Sequence, residues 1–203
     1  MDKKYNNRIP REILINLNKD PVMKRLIKKH GELEWDWEVD LFSDLIESII
    51  NQQLSDKAAA TIFKRFKSLF GKKFPKPEEI LKLSDEKIRE SGISFSKIKY
   101  IKGICEAIKK GELELDKLDS LSDEKVVEEL VKLKGIGQWT AEMMLMFSLK
   151  RMDVFSVGDL GLRTAVSKLY KIDRSDVKKI EEISLRWKPY RTIAARYLWR
   201  SLD

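Results

Sequence analysis

Helix-starting residues and helix-stopping glycines recur along this chain at helical distances, and that punctuation constrains the fold more than any other feature. In "DPVMKRLIKKHG" Asp20 stands where an N-cap belongs, Pro21 takes the first helical position and Gly31 follows the last turn. "SDKAAATIFKRFKSLFG" repeats the logic from Ser55 to Gly71, and "SFSKIKYIKGICEAIKKG" repeats it from about Ser94 to Gly111. "SDEKIRES" opens a helix at Ser84 and "SDEKVVEELVKL" opens one at Ser122. Further helices are predicted from about Trp139 to Lys150, from Asp159 to Tyr170, and on both sides of Pro189. Alternating apolar and polar stretches of strand length are scarce, so the fold class is all-α.

One echo runs through the pattern. "LSDEK" occurs at residues 83–87 and again at 121–125, and each copy leads through a short helix and a glycine turn into a more apolar helix. The turns read "SGISFSK" and "KGIGQWT". Two copies are too few for a solenoid. They suit a helical domain built from similar hairpins, and chance likeness of capped helices accounts for them nearly as well. No linker or low-complexity segment interrupts the chain, whose 203 residues suffice for one domain or two small lobes sharing a cleft.

Composition narrows the chemistry. Lysine and arginine number 41 against 33 acidic residues, a net charge of +8, which favours a polyanionic partner such as nucleic acid and is also compatible with a merely basic protein. Cys105 is the only cysteine, which excludes an internal disulfide and a four-cysteine iron–sulfur cluster. His30 is the only histidine, so a His/Cys zinc site is not expected. No apolar run reaches membrane-spanning length, and "MDKKYNNRIP" has no apolar signal core, so a cytoplasmic, nucleoid-associated protein is expected.

The stretch "KGIGQWTAE", residues 134–142, is the strongest local motif. A dinucleotide fingerprint needs a third glycine and a preceding strand; Ala141 holds the glycine position and "DEKVVEELVKL" is helical. A DNA backbone fits better. Two glycines between helices expose backbone N–H groups beside the positive end of the second helix, and that point can hold one phosphate without reading a base. Lys134 adds charge, and the carbonyls of Val131, Leu133 and Gly135 are placed to face a monovalent cation, Na+ or K+, bridging to the phosphate. The competing reading is an αα-hairpin whose glycines only reverse the chain. The following helix, "WTAEMMLMFSL", is apolar nearly all round and reads as a buried central helix, its methionines as core. In "KRMDVFSVGDLGLRTAV", Asp159 reads as an N-cap or as a carboxylate at the mouth of a cleft.

The stretch "LKGIGQWTAEMMLMFSLKRMDVFSVGDLGLRTA" resembles the helix-hairpin-helix and Gly/Pro…Asp signature of base-excision DNA glycosylases, and is most similar to the 3-methyladenine DNA glycosylase II branch. "DPVMKRLIKKHGELEWDWEVDLFSDLIESIINQQLSDKAA" is similar to that branch's N-terminal pattern and "RWKPYRTIAARYLW" to its C-terminal helix, so the likeness spans nearly the whole chain. The resemblance implies one glycosylase unit over 1–203. Its two helical lobes would flank a DNA-binding cleft, with the helix-hairpin-helix at about 122–150 and the N- and C-terminal segments sharing one lobe. The chain would be the compact form, lacking the extra β-rich domain of some members, and a monomer.

The same resemblance assigns roles. Asp159 matches the catalytic aspartate, and Gly135, Ile136 and Gly137 match the hairpin that grips DNA. Gln53 matches the residue that plugs the gap left by an extruded base, with Leu54 and Ser55 beside it along the minor groove. Trp139 stands where bifunctional relatives carry a Schiff-base lysine, which implies a monofunctional enzyme. Trp199 and Met143 match base-pocket positions, Trp139 is a third pocket candidate, and Trp35 and Trp37 are weaker ones. The sequence departs from the family pattern at Asn51, Lys134, Ser156 and Arg200; the last follows Trp199 where an aromatic can occur and leaves the substrate list open.

The implied chemistry is excision of alkylated purines, such as 3-methyladenine and 7-methylguanine, from damaged double-stranded DNA without a catalytic cofactor. Flipping the base costs a few kcal/mol, which a wedge offsets in part. Cleaving the N-glycosidic bond builds positive charge on the sugar, which a carboxylate stabilises. Lys134, Lys150, Arg151 and Arg163 are candidate backbone contacts. Two alternatives stay open: a glycosylase of the same fold for hypoxanthine, ethenoadenine, uracil or oxidised guanine, and a non-catalytic DNA-binding module.

Overall fold

The computed structural model describes residues 8–35 and 40–203 and is all-α. In chain order the helices are α1 (Arg11–Leu17), α2 (Pro21–His30), α3 (Leu41–Asn51), α4 (Asp56–Ser68), α5 (Pro77–Lys82), α6 (Asp85–Arg89) and α7 (Phe95–Lys109). They continue with α8 (Leu115–Leu118), α9 (Asp123–Val131), α10 (Gln138–Met143), α11 (Leu160–Tyr170), α12 (Val177–Ser184) and α13 (Arg191–Arg200). A π-helical turn, Met144–Ser148, follows α10, and a 3-10 turn, Leu185–Trp187, follows α12. Among the described residues the only extended pairing is an isolated bridge between Arg8 and Glu34. No helix among them is long and apolar enough to cross a membrane.

The chain divides into two compact units, one combining the N-terminal segment with residues 145–203 and the other formed by the residues between. In the first unit α13 is the hub, packing on both α2 and α11. Its Ile193, Ala194, Ala195, Tyr197 and Leu198 are fully buried, and the Tyr197 hydroxyl donates to the Gly31 carbonyl at the end of α2 (3.0 Å). Asp20 joins distant segments. One carboxylate oxygen caps α2 through Val22 N–H (2.7 Å) and Met23 N–H (3.2 Å); the other accepts from Tyr170 Oη (2.8 Å) and, at 3.4 Å, from Trp187 Nε1.

In the second unit α7 is the hub, packing on α3, α5 and α6, while α3 also packs on α4 and α9 on α10. Ile46, Ile49 and Ile50 of α3 and Ile98, Ile101 and Ile104 of α7, two helices that pack together, are buried, each side chain contributing about 1.5–3 kcal/mol relative to exposure. Cys105 sits in the same core, and burial pushes its thiol up to about 12, which marks it as a packing residue rather than a nucleophile.

The capping residues behave largely as their positions predict. Ser84, Ser94 and Ser122 accept from Lys87, Lys97 and Lys125 N–H, and Asp159 accepts from Leu162 N–H. Ser55 occupies the N-cap of α4 but makes no side-chain cap bond. Punctuation does not mark α3, because its end carries no glycine; a lysine from α7 satisfies its last carbonyls instead. The helix expected from Trp139 to Lys150 starts at Gln138, loosens into the π turn at Met144 and stops at Ser148. The expectation that it is a buried central helix needs correction. Ala141, Met144, Leu145 and Met146 are buried, but Trp139 is 49% and Phe147 40% exposed. Apolar periodicity registers apolar side chains, not which of them the fold covers.

Replacing Asp20 with alanine removes a helix cap and strands the Tyr170 hydroxyl, so unfolding in urea is expected to require about 2–4 kcal/mol less than in the wild type. Burial, and next the bond to Asp20, push the Tyr170 hydroxyl above its ordinary range. A raised folded-state value gives stability that is complete below the unfolded tyrosine value of about 10 and is lost as pH rises through the folded one. Tyr170→Phe is therefore expected to flatten the alkaline end of the stability curve.

Candidate active site and nucleic-acid interface

In the first unit the residues around Asp159 converge on one carboxylate. Asp159 caps α11 through Oδ1, which accepts from Leu162 N–H at 2.7 Å. The same oxygen accepts from Trp199 Nε1 on α13 at 2.9 Å. The side chain is 9% exposed. The N-cap reading of Asp159 therefore holds, and a tryptophan from the far end of the unit braces the same carboxylate. Gly161 eases this approach, since a Cβ there would lie tightly at 3.1 Å from Asp159 Oδ1 and 3.2 Å from Trp199 Nε1. Its only sequence signal is a glycine inside the first turn of a helix.

The loop leading to Asp159 is clamped to the start of α13. Asp153 takes Arg191 in a two-point ion pair (Nε 2.7 Å, Nη2 3.0 Å). Thr192 Oγ1 donates to the Arg151 carbonyl (2.6 Å) and accepts from Val154 N–H (3.0 Å). Thus one helix both orders the loop before Asp159 and delivers Trp199 to it. Phe147 packs on Trp199 at 5.8 Å between ring centroids. Beside them a hollow of about 240 Å³ is lined by Leu33, Phe147, Arg196, Trp199, Arg200 and Asp203. Arg196 and Lys150 lie over the buried Trp35 ring, at 5.0 and 5.8 Å, so Trp35 serves this unit as a core platform for cations. Trp37 lies outside the described residues.

In the second unit the Gly-Ile-Gly hairpin joins α9 to α10. Gly135 has φ +95°, and a Cβ on it would lie 2.5 Å from Tyr100 Cδ2 and 2.7 Å from Cγ, so this backbone rests directly on an aromatic ring of α7. Ile136 is buried, anchoring the apex; its N–H donates to the Leu133 carbonyl (3.1 Å). Gly137 is the N-cap of α10 and supplies no side-chain cap, and Lys134, Gly137 and Gln138 are exposed. Trp139 and Met143 lie on α10, the first exposed and the second half-buried. Of the carbonyls suggested for a cation, Leu133's accepts from Ile136 N–H and Gly135's accepts from Gln52 Nε2 (2.7 Å). A carbonyl oxygen carries two lone pairs, so neither bond exhausts these acceptors.

Gln53, Leu54 and Ser55 are exposed on the loop between α3 and α4, and Gln53 has φ +58°, a left-handed conformation few side chains adopt. Gln52, which sequence reading passed over, connects this loop to the hairpin through its bond to Gly135. Arg163, one turn beyond Asp159 on α11, has a buried Nε without a hydrogen-bond partner.

These features are those of a helix-hairpin-helix DNA-repair fold, and comparison with known proteins gives the same class. Residues 46–189 match the family described as HhH-GPD superfamily base excision DNA repair protein. The chain is 38% identical over 191 residues to DNA-3-methyladenine glycosylase 1 of Schizosaccharomyces pombe, an alignment covering 90% of this chain and 82% of that one. A crystal structure of DNA-3-methyladenine glycosidase from Bacillus halodurans is similar with a TM-score of 0.82 and 40% identity, over 95% of this chain and 89% of that one. A Schizosaccharomyces pombe 3-methyladenine DNA glycosylase in complex with abasic DNA is similar with a TM-score of 0.82 and 36% identity, over 93% and 95%. The chain belongs to the HhH-GPD superfamily of base excision DNA repair proteins.

The two hairpin glycines are expected to respond differently to alanine. Gly135→Ala must displace Tyr100 and strain a positive φ, at a cost of about 2 kcal/mol or more in thermal unfolding. Gly137→Ala meets nothing within 4 Å and is expected to stay within about 0.5 kcal/mol of wild type, so any loss of DNA binding in it reports on the exposed hairpin backbone.

Proposed function

We propose that this protein is a monofunctional DNA glycosylase that flips alkylated purines, such as 3-methyladenine and 7-methylguanine, out of duplex DNA and hydrolyses their N-glycosidic bond. The observation that carries the proposal is the Asp159 carboxylate, fixed by Leu162 N–H and Trp199 Nε1 on one oxygen. As the glycosidic bond lengthens, positive charge accumulates on the deoxyribose; a carboxylate preorganised beside it lowers the barrier and orients the water that attacks C1′. The base leaves with the bonding electrons, and the products are free base and an abasic site in an intact strand. The names of the relatives support the reaction class.

The DNA-binding role rests on the second unit. Amides at the α10 start and the Lys134 charge suit a phosphate, and Gln53, held out in a left-handed turn, suits the space a flipped base vacates. A monovalent cation on the carbonyls of Val131, Leu133 and Gly135 would add positive charge there. Trp139 offers no amine for a Schiff base, so strand cleavage is not part of the reaction, and borohydride is expected to trap no covalent adduct on lesion-bearing DNA.

A second reading is favoured by one observation. Arg196 and Arg200 both line the hollow beside Trp199. A cationic alkylpurine gains about 0.5–2 kcal/mol on an aromatic face, but the Arg196 guanidinium opposes it, with Arg200 partly neutralised by Asp203 at 3.7 Å, and suits a neutral base with acceptor edges, such as hypoxanthine or oxidised guanine. Single-turnover base release from a panel of duplexes separates the two readings. Asp159→Asn is expected to lower release about a hundredfold or more while leaving DNA affinity in place; undiminished release by this variant would remove Asp159 from the mechanism.

A further inference from the structure

The loop that presents Gln53 is held by an amine from another helix. Lys97 stands in the first turn of α7, and its Nζ donates to the carbonyls of Ile50 (2.8 Å) and Gln52 (2.6 Å). Both lie at the C-terminus of α3, where carbonyls have no partner within the helix. Helices commonly solve this with a glycine; here Gln52 leaves the helix at φ −50°, ψ 129° and Gln53 turns left-handed. Lys97 thus grips the main chain immediately before Gln53, while the Gln52 side chain runs to the hairpin and bonds Gly135.

Lys97 is not part of any ion pair among the described residues; burial lowers its pKa, and the two carbonyls are the polar partners of its amine. A hollow of about 100 Å³, lined by Ile50, Leu54, Ile62, Gly92, Ile93 and Lys97, lies against the loop and would give it room to relax if the amine were lost. An apolar side chain would fill that space with no desolvation cost, so the amine is suited to setting the loop's shape rather than to filling volume.

We propose that Lys97 is a positioning residue for base extrusion: it fixes the main chain that presents Gln53 to the DNA, while Gln52 ties that loop to the Gly-Ile-Gly hairpin so that wedge and phosphate grip act as one element. The inference rests on the glycosylase reading for its substrate. Its distinctive consequence is that Lys97 matters most when the base is hardest to flip, because extrusion costs least for a mispaired or unpaired base.

The test compares wild type, Lys97→Met, Gln53→Ala and the double variant on one lesion placed in a fully paired duplex, opposite a mismatch, and in single-stranded DNA. Lys97→Met is expected to slow single-turnover release from the paired duplex about tenfold or more, with a loss of less than about threefold on the other two substrates. In the Gln53→Ala background the same change is expected to cost little further, since both act on one step. Equal losses on all three substrates, no loss on any, or full additivity with Gln53→Ala would overturn the proposal. Lys97→Arg, which keeps the cation, enters the same cycle if Lys97→Met does not fold. Fluorescence of 2-aminopurine beside the lesion reports extrusion on binding without chemistry. It is expected to rise with wild type and not with Lys97→Met at matched saturation. An equal rise with both proteins overturns the proposal even if wild type releases no base, an outcome that would count against the glycosylase reading instead.

Discussion

A single oxygen, Asp159 Oδ1, accepts hydrogen bonds from two segments that the chain brings together only on folding: the first turn of α11 and the indole of Trp199 near the chain's end. Burying a carboxylate is costly unless donors meet it, and here the donors also define its direction. Much of the first unit serves that arrangement. The Asp153–Arg191 ion pair and the Thr192 bonds hold the preceding loop against the start of α13, and the same helix, docked on α2 and α11, carries Trp199. Gly161 leaves room beside the contact between the two side chains. A helix cap has become a fixed electrostatic element at no cost in local structure.

The second unit holds an exposed backbone turn and an exposed side chain, Gln53, in fixed geometry. Its two echoed hairpins show how. Gly92 and Gly135 take the same kind of turn, with φ +103° and +95°. After the first, Ser94 caps α7 with its own hydroxyl; after the second, Gly137 opens α10 without a side-chain cap. One copy of the motif has been closed for structure and the other left open. Tyr100 and the buried Ile136 hold the open copy from beneath, so exposure of its backbone does not mean looseness.

The two ends of α3 show why some elements were legible and others were not. Its start is capped locally in the structure, with Asp40 accepting from Ser43 N–H. Its end has no glycine, because Lys97, 45 residues from Gln52 along the chain, supplies the missing donor and a non-glycine residue takes the left-handed position. A local code cannot register a cap contributed from a distance. The same limit explains the helix after the hairpin: its apolar residues were visible, but Trp139 and Phe147 are left uncovered, and coverage is a property of the assembled unit.

Local chemistry alone determined the all-α class, the capped starts of α2, α6, α7, α9 and α11, the two-glycine turn and the aspartate at a helix start. These follow from propensities and hydrogen bonds spanning a few residues, which a linear string contains in full. The family was also legible, because its signature is a run of such local elements in order. Tertiary structure alone decided that Trp199 would brace Asp159, that Gln52 would reach Gly135 and leave Gln53 outward, and that a side chain at Gly161 would crowd the Asp159–Trp199 contact. Each joins residues far apart in sequence or depends on a distance of about 3 Å between side chains. Such contacts exist only once the hydrophobic cores have fixed where the helices lie.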